Sequence, residues 1–395
     1  MQPSSRALTL AILVFTPALC LACDPHHWRY VSTLTPPSNL SALIDGAAVA
    51  LSDTTAVVGK LGSPGAVDLF KGAQGVWTFQ KRLSPQPGAT GAFGVAVAMD
   101  GDRLAVGAPA EGDGVHNGYV DIYTRSGGQW SYEQTVVPTS WNPPLGSGTQ
   151  AEFNFGSAVD LAGDLLVVGA GRFRGGYGRA FVFKLNAGTY AQVAELQEAP
   201  ADQRFDSNFG DSVRIDGNTI VVTRPDTPAS TPPPKAGKVY AYTISGANFP
   251  LQQVILSNTA NGNYDGFGTA VALDGNRLAV RSRNDVQVFT RNGGTWSYAT
   301  SVSAGQPQRA TIDLQGEYLV IGEPQANSSA GQIRVLIELN GAYQSQAVRS
   351  EPSPAPNHNF GSSVALHGNE LLVGVPGAYT PNAYSATLDY IDGPY

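Results

Sequence analysis

Ionisable residues stand out at three neighbouring points of this sequence, because other copies of the same repeated unit place small residues there. Thr223-Arg224-Pro225, Arg281-Ser282-Arg283 and Gly322-Glu323-Pro324 occupy the place that the best copy fills with Gly107-Ala108-Pro109. A pair of guanidinium groups near a carboxylate suits the bidentate recognition of carboxylates. The competing use is internal, with Arg281 or Arg283 pairing Glu323 between units. Trp141, Arg174, Tyr177 and Tyr264, with Asn142, Phe173, Tyr379 and Tyr384, lie in irregular connecting segments. Aromatic residues and arginine anchor binding patches, and aromatic rings also suit sugars; packing within the connector is the alternative for each.

Patterns that do covalent chemistry are missing. The sequence holds no Gly-x-Ser-x-Gly elbow, no His-Glu-x-x-His, no phosphate loop and no sialidase-type box. Of five histidines, His26 and His27 lie near the N-terminus and His367 sits beside the turn residue Gly368, leaving His116 and His358 on long connectors. No catalytic residue, cofactor or metal ligand is assigned. The net charge of −7 is interspersed, so no basic field exists to neutralise phosphates, and nucleic acid is excluded as a partner. Cys20 and Cys23 are the two cysteines; the part of the chain that folds therefore has no disulfide.

The elements that would position these residues come from a repeat. Phe93-Gly94 through Pro109 and Phe155-Gly156 through Ala170 are its clearest copies; others start at Phe209-Gly210, Phe267-Gly268 and Phe360-Gly361. Two copies are degenerate, one over 46–59 and one over 309–324, the latter without its Phe-Gly. Anchored on Asp53, Gly101, Gly163, Gly217, Gly275, Gly316 and Gly368, the spacings are 48, 62, 54, 58, 41 and 52 residues. A period near 50 with variable insertions marks propeller blades, small sheets that cannot bury both faces alone. Each unit reads as four strands. The first alternates (Val95, Val97, Met99), an Asp-Gly turn follows, and the second is a wholly apolar run such as Leu165 to Val168. The third resembles Tyr119 to Tyr123 and the outer fourth Gln129-Trp130-Ser131-Tyr132. The last copy lacks an outer strand, and Trp28 to Leu34 copies one; residues 28–35 are expected to close the ring. The fold class is therefore all-β, a seven-bladed β-propeller of four-stranded antiparallel blades with an N-terminal strand closing the last blade. In the first strands, Asp160, Arg214 and Asp313 replace alanine, and Asp160 and Arg214 are expected to pair between blades.

Phe-Gly followed about twelve residues later by Gly-Ala-Pro resembles the FG-GAP repeat, as in integrin α-subunit propellers and exported bacterial proteins. The resemblance extends over 28–395 and implies the propeller fold, with binding on one face. Integrin-type repeats carry an Asp-x-Asp-x-Asp-Gly calcium loop, which supplies the many oxygens the ion needs. Here that place holds Asp100-Gly101-Asp102, Asp216-Gly217-Asn218 or Gln315-Gly316-Glu317, so the family's metal sites are not carried over. Asn261, Asn263 and Asp265 alternate oxygens before Gly266, but read as a turn into the following Phe-Gly.

First-to-second and third-to-fourth turns share one face and are short. The other face receives the long connectors 108–117, 138–153, 171–177, 198–208, 223–236 and 256–266, and loops on a rigid scaffold are where binding residues concentrate. The Pro-rich 226–235 reads as an extended excursion. The expected function is non-catalytic binding of a protein or glycan partner at a cell surface, by a monomer; a structural envelope component and a propeller hydrolase or lyase are the alternatives.

Residues 1–22 read as a signal peptide, with a 16-residue apolar core, Ala7 to Ala22, too short to span a bilayer. Leu19-Cys20-Leu21-Ala22-Cys23 resembles a lipobox, with Cys23 as the acylated residue and 23–27 as a short tether; cleavage after Ala22 without acylation is the other outcome. The chain is thus expected to be exported, anchored to a membrane through Cys23 or free outside the cytoplasm. Intact-mass measurement of the N-terminus from the native host should show a diacyl or triacyl group on Cys23; an unmodified terminus in the soluble fraction overturns the anchor.

Overall fold

Glycine at the first position of a two-residue hairpin loop takes the positive φ that lets flanking strands keep their twist. Gly101, Gly163, Gly217, Gly275, Gly316 and Gly368 all do so, with φ between 54° and 58°. Each turn joins an innermost strand to a second strand that is buried on both faces, as the apolar runs require: every residue of Leu165–Ala170 and of Thr219–Arg224 is buried. Outer strands alternate exposed and buried residues, with Trp130, Tyr190 and Trp296 turned inward.

The computed structural model describes residues 28–37, 40, 44–62, 64–73, 76–89, 91–109, 118–139, 154–171, 178–200, 202, 208–225, 237–258, 265–304, 311–377 and 386–392. The architecture is an all-β propeller of four-stranded antiparallel blades. Six blades consist of four consecutive strands each, over 44–83, 96–136, 158–196, 213–256, 271–303 and 311–349. The expected count of seven blades is corrected to six of this kind; the remaining sheet is the composite one that residues 28–35 were expected to close. It comprises Ser363–His367, Glu370–Pro376 and Ala386–Asp392, with Arg29–Thr33 as its outer strand. Arg29 lies opposite Asp392 and Thr33 opposite Asp389, and this sheet packs between the sixth blade and the first. Arg349 of blade six donates from Nε and Nη2 to the Trp28 carbonyl at 3.0 and 2.8 Å, fixing the entry to that strand.

Blades are held together where the repeat is most regular. The N–H of the Phe-Gly glycine donates to the carbonyl at the Gly-Ala-Pro glycine position of its own blade, as from Gly94 to Gly107 (3.0 Å) and from Gly156 to Gly169 (3.1 Å). The carbonyl of the same residue then lies on the Gly-Ala-Pro glycine of the preceding blade. A Cβ built on Gly107 would be 2.0 Å from the Gly156 oxygen, one on Gly169 2.1 Å from the Gly210 oxygen, and one on Gly322 2.1 Å from the Gly361 oxygen. Phe93, Phe155, Phe209, Phe267 and Phe360 fill the adjoining interfaces and are fully buried.

On the short-turn face, side chains of one blade reach the turn of the next. Asp100 accepts from Gly163 N–H (2.6 Å), Asp216 from Gly275 N–H (2.5 Å), Asp274 from Gly316 N–H (2.9 Å) and Gln315 from Gly368 N–H (2.7 Å). His367 continues the series to Asp53 of blade one at 2.8 Å. Blade three has Ala162 before its turn glycine, and there Asp160, one layer deeper, accepts from Ile215 N–H of blade four at 2.8 Å. Asp313 does the same with Leu366 N–H at 2.7 Å. Asp160 and Arg214 therefore do not form the expected ion pair: Asp160 takes backbone N–H groups, and Arg214 donates to the Val213 carbonyl (2.8 Å). The charge of Arg214 still acts on both Asp160 and Asp313.

The substitution Gly107→Ala is expected to lower stability by about 3 kcal/mol in urea unfolding, because the new methyl displaces a neighbouring blade's backbone. Gly127→Ala, at a positive φ in open space, should lose about 1 kcal/mol. Equal losses at the two positions would show that the inter-blade contact does not limit packing.

Candidate functional site

The third strand of each blade begins on the face that receives the long connectors. Its first residues lie beside the last residues of the second strand, where the Gly-Ala-Pro pattern breaks. In blade one, Asp68 is fully buried and accepts two hydrogen bonds from Arg82, from Nε at 2.7 Å and Nη2 at 2.9 Å. Lys60, itself buried, adds its ammonium 3.2 Å from the other side. Burial drives the Lys60 ammonium down to about 8, and Asp68 opposes that shift.

Blade three pairs Arg179 Nε with Glu195 at 2.7 Å, and Gln197 donates to the same oxygen. At blade four, Asp202 accepts from Tyr240 Oη at 3.0 Å and is bonded to the Lys238 ammonium. Burial works against ionisation of Asp202, yet those two donors hold its carboxyl below the usual range. Arg224 lies 3.8 Å from Glu198, both almost entirely buried. At blade five, the Gln287 side chain donates to Ser257 Oγ (3.0 Å) and accepts from Asn258 N–H (2.8 Å). At blade six, Glu323 accepts from Arg334 Nε at 2.8 Å and from Gln332 Nε2 at 2.7 Å, and Arg334 also reaches the Ser303 carbonyl of blade five at 2.6 Å.

Three of the sequence candidates therefore lie inside the protein. Arg224, Arg281 and Glu323 are each no more than 3% exposed. Arg281 donates to the carbonyls of Asp285 (3.1 Å) and Arg283 (3.2 Å), and burial depresses its guanidinium to about 10 against the attraction of Glu323 and Asp285. Glu323 is bonded by Arg334, a residue the sequence reading did not single out. Arg283 is exposed, and its N–H donates to the Asp265 carbonyl (2.5 Å). Asp265 accepts from Phe267 N–H (3.0 Å), an Asx turn leading into Phe267-Gly268. Trp141, Arg174, Tyr177, Tyr264 and Cys23 lie outside the described residues, as do Asn142, Phe173, Tyr379, Tyr384, Asn261 and Asn263. Among the described residues, no group of three or more His, Cys, Asp or Glu side chains is placed to hold a metal.

The position of Arg281 has a packing cause. By register it occupies the Gly-Ala-Pro glycine position of blade five, since it pairs Val286 as Gly107 pairs Val120. The next blade is the one whose Phe-Gly is missing, so no Phe-Gly carbonyl presses on that Cα. Thr223 holds the same position in blade four, and there the neighbouring glycine stands off: a Cβ on Gly268 would be 3.5 Å from the Thr223 Cβ.

Sequence reading missed Lys60, Asp68, Asp121 and Asp202. Asp68 and Asp121 share a visible signal, a lone carboxylate at the third position of the third strand with apolar residues on either side. Asp121 differs from the rest of the series. It is fully buried, one oxygen accepts from Thr135 Oγ1 at 2.6 Å, and the other has no hydrogen-bond partner. Burial pushes its carboxyl up to about 6 despite the Thr135 bond. The same occurs at Asp160, where burial raises the carboxyl to about 6 against Arg214 and two backbone N–H groups.

Comparison with known proteins agrees with this architecture. A family model described as FG-GAP repeat matches residues 77–123. A crystal structure of a protein from Lactobacillus plantarum is similar to the chain at a TM-score of 0.55 and 14% identity, covering 88% of this chain and 97% of that one. A chain in the crystal structure of a mitotic checkpoint complex is similar at a TM-score of 0.53 and 14% identity, covering 94% and 98%. At such identities the likeness concerns the fold alone. A search of curated proteins found no match. The class is thus a β-propeller, and within it residues 77–123 match the FG-GAP repeat.

A carboxyl whose pKa is higher folded than unfolded binds more protons in the folded state. Its contribution to stability is therefore fullest below about pH 4 and declines as pH rises through about 6. Stability of the wild type minus that of Asp121→Asn should fall across this window and level off above it. A difference independent of pH would show that the Asp121 carboxyl is unperturbed.

Proposed function

We propose that this FG-GAP propeller is a non-catalytic binding protein, exported from the cell, that recognises a protein or glycan partner at a cell surface through its long-loop face. The composite sheet serves as the seventh blade, and Arg29–Thr33 fastens the ring without a disulfide. The observation that carries this reading is the unequal treatment of the two faces. Side chains on the short-turn face, from Asp100 and Asp216 to Gln315 and His367, are engaged in holding the next blade's turn. On the opposite face the framework closes its charges internally, at Asp68, Glu195, Asp202 and Glu323. A rigid, electrically settled platform leaves the variable connectors free to differ without disturbing the ring, the arrangement on which recognition loops are usually mounted.

The reading predicts which replacements abolish recognition. Replacing 138–153 and 226–236 with Asn-Gly turns should weaken binding to intact host cells, or to an arrayed glycan, by at least about tenfold while the melting temperature is kept. Replacing the Gly127-Gly128 and Gly293-Gly294 turns with Asn-Gly should leave binding unchanged. The opposite ranking would place the partner on the short-turn face, and full binding by both sets would return the protein to a structural role.

A further inference from the structure

Around the rim, side chains of one outer strand hold the backbone of the next. Gln134 of blade two takes both backbone groups of Tyr190 in blade three: its Nε2 donates to the Tyr190 carbonyl at 2.9 Å, and its Oε1 accepts from the Tyr190 N–H at 2.8 Å. Gln253 of blade four does the same to Trp296 of blade five, at 2.9 and 2.8 Å. Lys81 reaches the Trp130 carbonyl at 3.0 Å. Lys81, Gln134 and Gln253 each follow the bulge of their outer strand, and by the same register blade three has Ala194 there.

The seam between blades three and four has lost more than that glutamine. By register the residue it would reach is Phe249, half-buried where Trp130, Tyr190 and Trp296 are buried. Neither the N–H nor the carbonyl of Phe249 has a hydrogen-bond partner among the described residues. The bulge residue, a glutamine bonded to the next blade's turn at Gln80 and Gln252, is Val193 here. On the other side of the seam, Leu251 and Val254 stand where blade three has Gln192 and Glu195. Val193 is 42%, Leu251 38% and Leu256 54% exposed, three of the nine exposed large apolar side chains among the described residues. Ala194, Phe249 and Val254 form the floor, resting on the core that the two blades share. The outer strands of blades three and four also approach less closely than those of blades two and three or of blades four and five. Scattered apolar residues on a surface need no explanation, but a strip of them along an open strand edge marks an interaction site.

What fits the strip follows from what fills the other seams. The glutamine side chain ends in an amide, the group that a peptide backbone repeats along its length. We propose that the groove between the outer strands of blades three and four binds an extended, apolar segment of a protein partner. The N–H and carbonyl of one residue of that segment take the carbonyl and N–H of Phe249, as Gln134 takes those of Tyr190. Its alternate side chains lie on Val193, Leu251 and Leu256, so the segment adds a strand to the edge of blade four. The residues of the strip are uncharged, and the segment is neutral where it lies. A propeller rim is convex, so two rims meet along a line, whereas a single extended chain follows the groove. This surface is separate from the long-loop face and gives the molecule a second place to hold a partner.

The probe is acetyl-Lys-Leu-Thr-Val-Thr-Leu-Lys-amide, titrated into the ¹⁵N-labelled full chain. Its controls are the same peptide Nα-methylated throughout, which cannot donate, and one with serine in place of leucine and valine. Saturable shifts of the Phe249, Leu251 and Leu256 amides are expected with the probe at about 1 mM or below, and not with either control. Ala194→Gln supplies the missing amide; it should abolish probe binding while keeping or raising the melting temperature. Leu251→Gln, which copies blade three at that position, should weaken binding by about tenfold. Absence of saturable shifts, equal affinity for the methylated peptide, or full binding by Ala194→Gln overturns the site. Sedimentation showing pairs of wild-type molecules and single Ala194→Gln molecules assigns the strip to a second copy and overturns the peptide reading.

Discussion

A carbonyl oxygen resting on a glycine Cα is the contact on which this ring depends. Gly94, Gly156, Gly210 and Gly361 each bond their own blade with the N–H and press the oxygen onto the preceding blade at a distance that no Cβ permits. Interiors packed at crystal-like density do not absorb an added methyl without moving something, and here the thing to be moved is a neighbouring sheet's backbone. The two glycines of the motif are therefore one device seen from two blades. The exceptions follow the same logic. Where blade six has lost its Phe-Gly, blade five carries Arg281 in place of the glycine, and where Thr223 stands the opposing glycine has drawn back.

Two further rings of polar contacts lie on either side of that apolar seam. On the short-turn side, a carboxylate, amide or imidazole of blades two, four, five and six and of the composite sheet bonds the next turn, and where blade three has alanine the bond is made a layer deeper by Asp160. On the other side, the cations and carboxylates at the starts of the third strands are matched within or between blades, Asp121 of blade two excepted. Removing one member of a buried pair strands the other charge, so the choice of residue at one position constrains the choice at its partners. Lys60 with Asp68 and Arg82, and Glu323 with Arg334 and Gln332, are different solutions at equivalent places.

Much of the fold was legible in the sequence, since local signals and long-range packing agree in each repeat. The Asp-Gly turns, the wholly apolar second strands and the Trp-Ser-Tyr outer strands carry both, and consistency across levels is what makes a sequence readable. The blades' partners for individual charges were not legible. Arg281 looked like a ligand-binding residue because it breaks a pattern of small residues; its use became clear only when the missing Phe-Gly was placed against it in space. Glu323 was assigned a partner in blade five, whereas Arg334, two residues into the next strand, reaches it first. Asp121 went unnoticed because a carboxylate inside a strand acquires meaning only when the third strands of all blades are aligned by register.

The composite sheet gives the molecule a direction in time. Arg29–Thr33 pairs with Ala386–Asp392, so a strand made before the six intervening blades must wait for one made after them, while each of those blades can form from neighbouring sequence. Pairings between such distant segments carry the loop-closure entropy of the whole chain and form slowly. Until they do, the first and last blades each present an uncovered flank, an edge of the kind that invites pairing with another chain. Completion of this protein is therefore a single late event, and a chain interrupted before it would be a row of finished blades with two adhesive ends.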